Sequence, residues 1–164
     1  MVSAAVENTR LRVFEGLDSV CDPEIPTVSI RDLGIVRGVD VCDDQVQVMI
    51  TPTYSGCPAM QVIEQDIHEA LGRIGINHVT VKQVLYPPWT TDWITDQGRK
   101  HLRATGITPP VCYACSEDST ETGISCPRCG SDNTSVLSSF GGTACKALWR
   151  CDQCLEPFDY FKPH

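Results

Sequence analysis

Six of the ten cysteines stand in C-x-x-C pairs, and two of those pairs, Cys126-Pro127-Arg128-Cys129 and Cys151-Asp152-Gln153-Cys154, follow one another with 21 residues between them. No other feature restricts the folding of this chain as tightly. A unit of roughly forty residues buries too little apolar surface to fold unaided and needs a staple. Paired knuckles supply one, because they bring four thiolates to the corners of a tetrahedron. Gly130 permits the tight turn after the first knuckle. Thr134–Phe140 and Ala144–Arg150 read as hairpin strands between the knuckles. The aromatic run Phe158-Asp159-Tyr160-Phe161 reads as a third strand, with a docking surface as the alternative. Residues 126–164 are therefore expected to form a small all-β zinc ribbon with Cys126, Cys129, Cys151 and Cys154 as ligands. Iron and a redox dithiol are the competing readings of the same four sulfurs. A closed site of four cysteines has no open coordination position, so the expected zinc is structural. Asp152, Glu156 and Asp159 place acidic charge around it, which argues against a DNA-binding ribbon.

The second constraint is the stretch Thr51-Pro52-Thr53-Tyr54-Ser55-Gly56-Cys57-Pro58-Ala59-Met60. Before it, Val46, Val48 and Ile50 alternate with Gln45, Gln47 and Met49, the period of a half-buried strand. After it, Met60, Ile63, Ile67, Ala70, Leu71 and Ile74 recur at helical spacing. Pro58 suits the first helical position, which makes Cys57 the cap residue. There the helix dipole and unpaired backbone N–H groups favour thiolate over thiol, and the thiolate is the nucleophile and metal ligand. A small buried cysteine closing a turn is the competing reading. Gly56 would let backbone or ligand approach closely. Thr53, Tyr54 and Ser55 would line a pocket at Cys57, walled by Trp89 and Trp93, although two aromatics packed over a sheet are the more ordinary use.

Around these two stretches the chain reads as α-β-β-α-β-α. An opening helix is expected over residues 3–19, and strands over Leu33–Val41 and Gln45–Thr51 with a turn at Asp43-Asp44. The Cys57 helix runs to Gly72–Gly75, a third strand spans Val79–Leu85 with Val79, Val81 and Leu85 on one face, and a short helix covers Asp96–Thr105. That order predicts an α+β fold, a two-layer sandwich with helices on one face of a small sheet. Cys21-Asp22-Pro23-Glu24-Ile25-Pro26 is an extended turn, whose Asp22 and Glu24 carboxylates could meet the Cys57 site. Composition shifts at Gly106, so the domains are expected at 1–106 and 126–164, joined by a linker at 107–125 that carries Cys112 and Cys115. Cys112 and Cys115 could join Cys57 to hold an iron or cluster cargo, with plain linker thiols as the alternative, and Cys145 could be an exchangeable fifth ligand or a second reactive thiol, with a packed strand cysteine as the alternative. The net charge of −8 argues against nucleic-acid and anionic-membrane partners. No membrane-length apolar run and no signal peptide is visible at Met1–Arg10, so a cytoplasmic protein is expected.

Asp22-Pro23-Glu24-Ile25-Pro26, Asp32-Leu33-Gly34-Ile35-Val36 and Thr51–Pro58 together resemble the iron–sulfur assembly domain family that includes SufT. With Trp89-Thr90-Thr91-Asp92-Trp93, Phe140–Leu148 and Glu156–Lys162 added, the chain resembles the PaaD/PaaJ family that accompanies phenylacetyl-CoA epoxidase. The resemblance implies an iron–sulfur assembly fold followed by a zinc ribbon, with Cys57 at the family's characteristic reactive position. It implies an accessory or maturation factor, not catalytic alone, that assists iron–sulfur or di-iron centres of the epoxidase's oxygenase and reductase components. Cys57, Asp22 and Glu24 would then hold iron or a cluster transiently. A structural adaptor of the epoxidase complex without metal transfer is the alternative, and a homodimer is left open.

Overall fold

The computed structural model describes residues 4–42, 45–110 and 124–163. The expected turn at Asp43-Asp44 and the candidate thiols Cys112 and Cys115 lie outside the described residues. The chain groups into two compact units, Met1–Trp89 and Thr90–His164.

The first unit opens with helix α1 (Ala4–Leu17), which buries Val13, Gly16 and Leu17. Strands β3 (Val36–Cys42), β4 (Gln45–Ile50) and β5 (Val79–Gln83) form one sheet in the order β3-β4-β5. β3 and β4 are antiparallel, whereas β4 and β5 are parallel. A parallel neighbour requires a crossover, and helix α2 (Ala59–Arg73) provides it. Along β4 the alternation does what the period requires: Val46, Val48 and Ile50 are buried and Gln45 is exposed. On α2, Met60, Ile63, Ile67, Ala70 and Leu71 form the buried stripe, with Ile74 half-buried past its end. α1 packs against α2 and β3. The α+β layering expected from the sequence is thus present.

Two local features differ from the sequence expectation. The Asp-Pro segment is a hairpin, not a bare turn: β1 (Cys21–Asp22) pairs antiparallel with β2 (Ile25–Ser29) in its own two-stranded sheet. β5 ends at Gln83, so Leu85 falls past the sheet and stands 68% exposed. Between β2 and β3 the Asp32-Leu33-Gly34 segment makes a tight turn, with Gly34 at φ 70. Its closure is a set of short bonds, Leu33 N–H to the Ser29 carbonyl (3.0 Å) and Ile35 N–H to the Ile30 carbonyl (2.9 Å). The turn buries Leu33 and Ile35. The Leu33 carbonyl, facing inward, accepts a 2.9 Å bond from the Trp89 indole N–H. Trp89 is itself buried, so the bond satisfies two polar groups that water cannot reach.

The second unit begins with a 3-10 turn (Thr91–Trp93) and helix α3 (Asp96–Ala104). The Thr95 hydroxyl caps α3 by accepting from Gly98 N–H at 3.0 Å. Gly106, at φ 81, stops the chain from continuing the helix. A four-stranded sheet follows in the order β6-β9-β8-β7, made of β6 (Ile107–Thr108), β7 (Thr134–Ser138), β8 (Lys146–Cys151) and β9 (Pro157–Phe161). The strand reading of the aromatic tail holds as β9. Ile107–Thr108, in a stretch that composition marks as linker, instead lies parallel to β9 as an edge strand. At the other end of β8, Lys146 is buried and pairs with Asp159 at 3.4 Å. Gly141 packs on that pair: a Cβ there would sit 3.0 Å from Asp159 Oδ1 and 3.3 Å from the Lys146 Cβ.

Replacing Trp89 by Phe keeps most of the ring but strands the Leu33 carbonyl. Leaving a buried acceptor unpaired costs about 1–3 kcal/mol. Trp89→Phe should lower the urea midpoint of the full chain accordingly; an unchanged midpoint would show that this bond does not hold the turn.

Candidate functional site

Cys57 and the acidic turn come together within the first unit. Asp22 is buried, and its Oδ1 accepts from Glu24 N–H (2.8 Å) and Ile25 N–H (3.1 Å). This Asx turn bridges Pro23, which has no N–H to offer. It holds Asp22 and Glu24 close enough for both carboxylates to act on the Cys57 sulfur. Cys57 itself lies in a short turn, its N–H donating to the Tyr54 carbonyl at 3.2 Å. Gly56 stands at φ 84 with open space where a Cβ would be, so its role is the left-handed backbone and not close approach.

Helix α2 starts one residue later than proline placement suggests. Pro58 flanks it in a helical conformation (φ −70, ψ −20), Ala59 is its first residue, and no side chain caps it. Cys57 is thus one position ahead of the cap. The Ala59 N–H still reaches the sulfur, and so does the Tyr54 hydroxyl. Yet the thiol is pushed up from its ordinary value of 9.0, not down. Burial is the largest cause; the Ala59 N–H opposes it, and the charges of Asp22 and then Glu24 add to the rise. The expected helix-start activation is therefore outweighed by the half-buried setting and two anions. Burial and the two carboxylates thus favour the thiol of Cys57 over its thiolate.

Of the other pocket candidates, Thr53 is buried, Tyr54 half-buried and Ser55 exposed. Trp89 is spent on the Leu33 carbonyl, and Trp93 belongs to the second unit. A residue that sequence reasoning leaves aside is Cys21. Its thiol is also pushed up, by burial first and then by Asp22 and Asp32. Asp22 thus bears on two thiols. The signal is its immediate neighbour in the chain, hidden because two prolines make β1 look like a turn.

The second unit holds the metal centre. The Sγ atoms of Cys126, Cys129, Cys151 and Cys154 all lie within 4.8 Å of one another. Among the described residues this is the set of at least three ligating side chains whose atoms converge; Cys57, Asp22 and Glu24 do not form one. A tetrahedral centre with metal–sulfur bonds of about 2.3 Å needs sulfurs about 3.8 Å apart. The Cys126–Cys154 and Cys129–Cys151 pairs stand at 3.8 and 3.5 Å, so the donors fit such a metal. The two knuckles are built alike. Gly130 N–H donates to the Cys126 carbonyl and Leu155 N–H to the Cys151 carbonyl, both at 2.9 Å, and both residues have positive φ (75 and 63). Backbone N–H groups also point at the sulfurs. Those of Cys154 and then Gln153 help hold the Cys151 thiol down to about 7. Cys129 is pushed up to about 12: the Ser131 N–H favours its thiolate, but the neighbouring thiols and burial outweigh that donor.

Cys145 is buried and stands apart from this cluster, with Sγ 3.0 Å from the Thr143 hydroxyl. The acidic residues flanking the ribbon are each matched by a cation: Asp152 by Arg150 (2.9 Å), Glu156 by Arg128 (2.5 Å) and Asp159 by Lys146. No helix among the described residues is long and apolar enough to cross a membrane.

Comparison with known proteins divides the chain along the same chemistry. Residues 10–84 match the iron–sulfur cluster assembly protein family, and residues 110–162 match the PaaD zinc beta ribbon domain. The chain is 48% identical over 146 residues to a putative 1,2-phenylacetyl-CoA epoxidase subunit of Escherichia coli, spanning 89% of this chain and 88% of that protein. It is 34% identical over 88 residues to an "Fe-S protein maturation auxiliary factor" of Porphyromonas gingivalis, spanning 52% of this chain and 83% of that one. A solved DUF59 domain from Bacillus anthracis superposes with a TM-score of 0.56 at 27% identity, covering 60% of this chain and 94% of its own.

Two measurements check this description. Because its thiol is raised, Cys57 should react with iodoacetamide more slowly than a free thiol at pH 8, and its rate should still be climbing with pH where that of a free thiol has levelled off. Asp22→Asn keeps the Oδ1 acceptor and removes the charge, so it should speed the reaction at pH 8; a slower or equal rate would contradict the electrostatic account. The same sign governs stability. Below the ordinary thiol value both folded and unfolded forms are neutral, and above it the unfolded chain ionises first, so this thiol's contribution falls as pH rises. In the ribbon, Leu155 is 70% exposed and held at positive φ, a conformation that costs an L-residue about 1–2 kcal/mol. Leu155→Gly should therefore raise the thermal midpoint, and a lowered midpoint would mean that the leucine side chain holds the knuckle.

Proposed function

This chain belongs to the PaaD family, together with the putative 1,2-phenylacetyl-CoA epoxidase subunit of Escherichia coli, and from that premise we propose that it is an accessory maturation factor for the metal centres of such an epoxidase. The front unit would handle the cargo, and the ribbon would dock the client. The relatives of the front unit support this, being named as iron–sulfur maturation factors. So does the setting that carries the reading: the Asx turn holds Asp22 and Glu24 where their charges act on the half-buried Cys57 thiol.

Two carboxylates beside a thiol make a poor free nucleophile but a good landing place for a cation. An arriving iron ion or cluster supplies positive charge, and that charge favours the thiolate which the carboxylates alone disfavour. Deprotonation would then be tied to arrival of the cargo. Three ligands that do not converge beforehand hold a cargo weakly, as a transfer agent must. Cys57 would contribute the sulfur, Asp22 and Glu24 the attracting field, and Tyr54 the hydrogen bond that orients the sulfur. In the second unit, zinc would close the four-thiolate cluster and staple the two knuckles together.

One observation favours the adaptor reading instead. Cys57 is half-buried and its thiol is raised, as that of an inert structural cysteine would be. The two readings separate in one experiment. Oxygenase and reductase components of the epoxidase are produced together with this chain or with its Cys57→Ser variant, and iron content, zinc content and epoxidation are measured. The maturation reading expects one zinc on either chain and at least a tenfold loss of client iron loading and activity with the variant, which corresponds to about 1.4 kcal/mol of lost discrimination. Full loading with the variant would leave the adaptor.

A further inference from the structure

The second unit carries a cleft that neither the cargo site nor the sulfur cluster uses. It has a volume of about 270 Å³ and lies between the end of α3 and the first knuckle. Arg103, Gly106, Arg128, Glu156, Pro157 and Phe158 line it, and Cys126-Pro127 forms the wall nearest the sulfur cluster. Two arginines therefore line one concavity together with Pro127, Pro157 and Phe158. On a chain of net charge −8 such a spot is set apart. Arg103, in the last turn of α3, makes no side-chain ion pair among the described residues. Arg128 is engaged, but by a partner from its own chain: Nη1 lies 2.5 Å from Glu156 Oε1, and both side chains are about half to two-thirds exposed. An ion pair that open to water contributes about 0–1 kcal/mol, so a competing carboxylate can displace it.

We propose that this cleft binds an acidic peptide segment of the client protein, one carboxylate side chain reaching Arg103 and Arg128 while a neighbouring apolar residue packs on Pro127, Pro157 and Phe158. Glu156 occupies Arg128 until that segment arrives. Guanidinium groups suit the task because their planar donors pair with carboxylates two bonds at a time. The prolines and the exposed part of Phe158 add some apolar contact to the two surface ion pairs. The proposal deepens the docking role given to the ribbon above, and it is independent of Cys57.

Fluorescence anisotropy of a labelled peptide, Gly-Glu-Glu-Leu-Glu-Gly, against the zinc-loaded full chain tests it. At physiological salt, where the Debye length is about 8 Å, the chain's distant negative charge is screened. The acidic peptide should bind and its glutamine counterpart should not. Arg103→Gln should weaken binding by about fivefold, the factor that 1 kcal/mol represents. Glu156→Gln should strengthen it by a similar factor by freeing Arg128, a gain that no merely structural role for the pair would give. Thermal melts of each variant check folding. Equal binding of the glutamine peptide, indifference to Arg103→Gln, or weaker binding by a folded Glu156→Gln variant would overturn the proposal. Displacement of the peptide by stoichiometric inorganic phosphate would replace it with a small-anion site. If the peptide fails to bind while the chain still captures epoxidase components, the cleft is refuted and docking by another face stands.

Discussion

Four sulfurs drawn within 4.8 Å of one another govern the second unit. One of its buried clusters is Cys126, Cys151 and Phe158, with Ile124, Trp149 and Cys154 packed partly against it. Half of those six residues are members of the sulfur set. The sulfur cluster thus doubles as one of the unit's apolar clusters, while Leu102, Ile107, Ala147, Tyr160 and Phe161 are also buried in the same unit. Neutral thiols at these spacings would compete for protons and hydrogen bonds, and the uneven values at Cys151 and Cys129 reflect that competition. A divalent ion held by Cys126, Cys129, Cys151 and Cys154 would favour all four as thiolates and so end that competition.

The first unit solves a different problem. Its sheet, helices and buried stripe make an interior without help, and the chemistry sits at its edge. One side chain, Asp22, ties the edge together, because the oxygen that closes the Asx turn belongs to the carboxylate whose charge acts on Cys21 and Cys57. The same group shapes the backbone and sets the field. Helix-start activation of cysteine assumes that the dipole is the strongest influence within reach. Here burial and two carboxylates are stronger.

Much of this is legible from residue order. Val46, Val48 and Ile50 declare a half-buried strand, and Met60 to Leu71 declare a helix face, because burial imposes its period directly on sequence. The knuckles are legible because coordination geometry fixes their spacing. The misses share a cause, since each depends on partners distant in the chain or on a bond that residue type alone does not reveal. The β1–β2 hairpin is stabilised by side-chain acceptance at Asp22, which two prolines disguise as a bare turn. Ile107–Thr108 becomes strand only because β9, some fifty residues on, offers an edge. The acidic look of the ribbon dissolves once Asp152, Glu156 and Asp159 are seen beside Arg150, Arg128 and Lys146. The direction of the Cys57 shift needs the three-dimensional sum of opposing fields.

Gly141 shows how a position can be restricted without any demand on its backbone. Its neighbours, the Lys146 stem and the Asp159 carboxylate, fill the volume where a methyl group would go. The smallest possible enlargement would wedge that carboxylate away from an ammonium that is largely out of water. A buried cation deprived of its counterion is among the costlier faults a fold can acquire. Natural variation at this site should therefore stall at a single residue type, and when it does vary, residues 146 and 159 should change in concert, exchanging the charged pair for an apolar one.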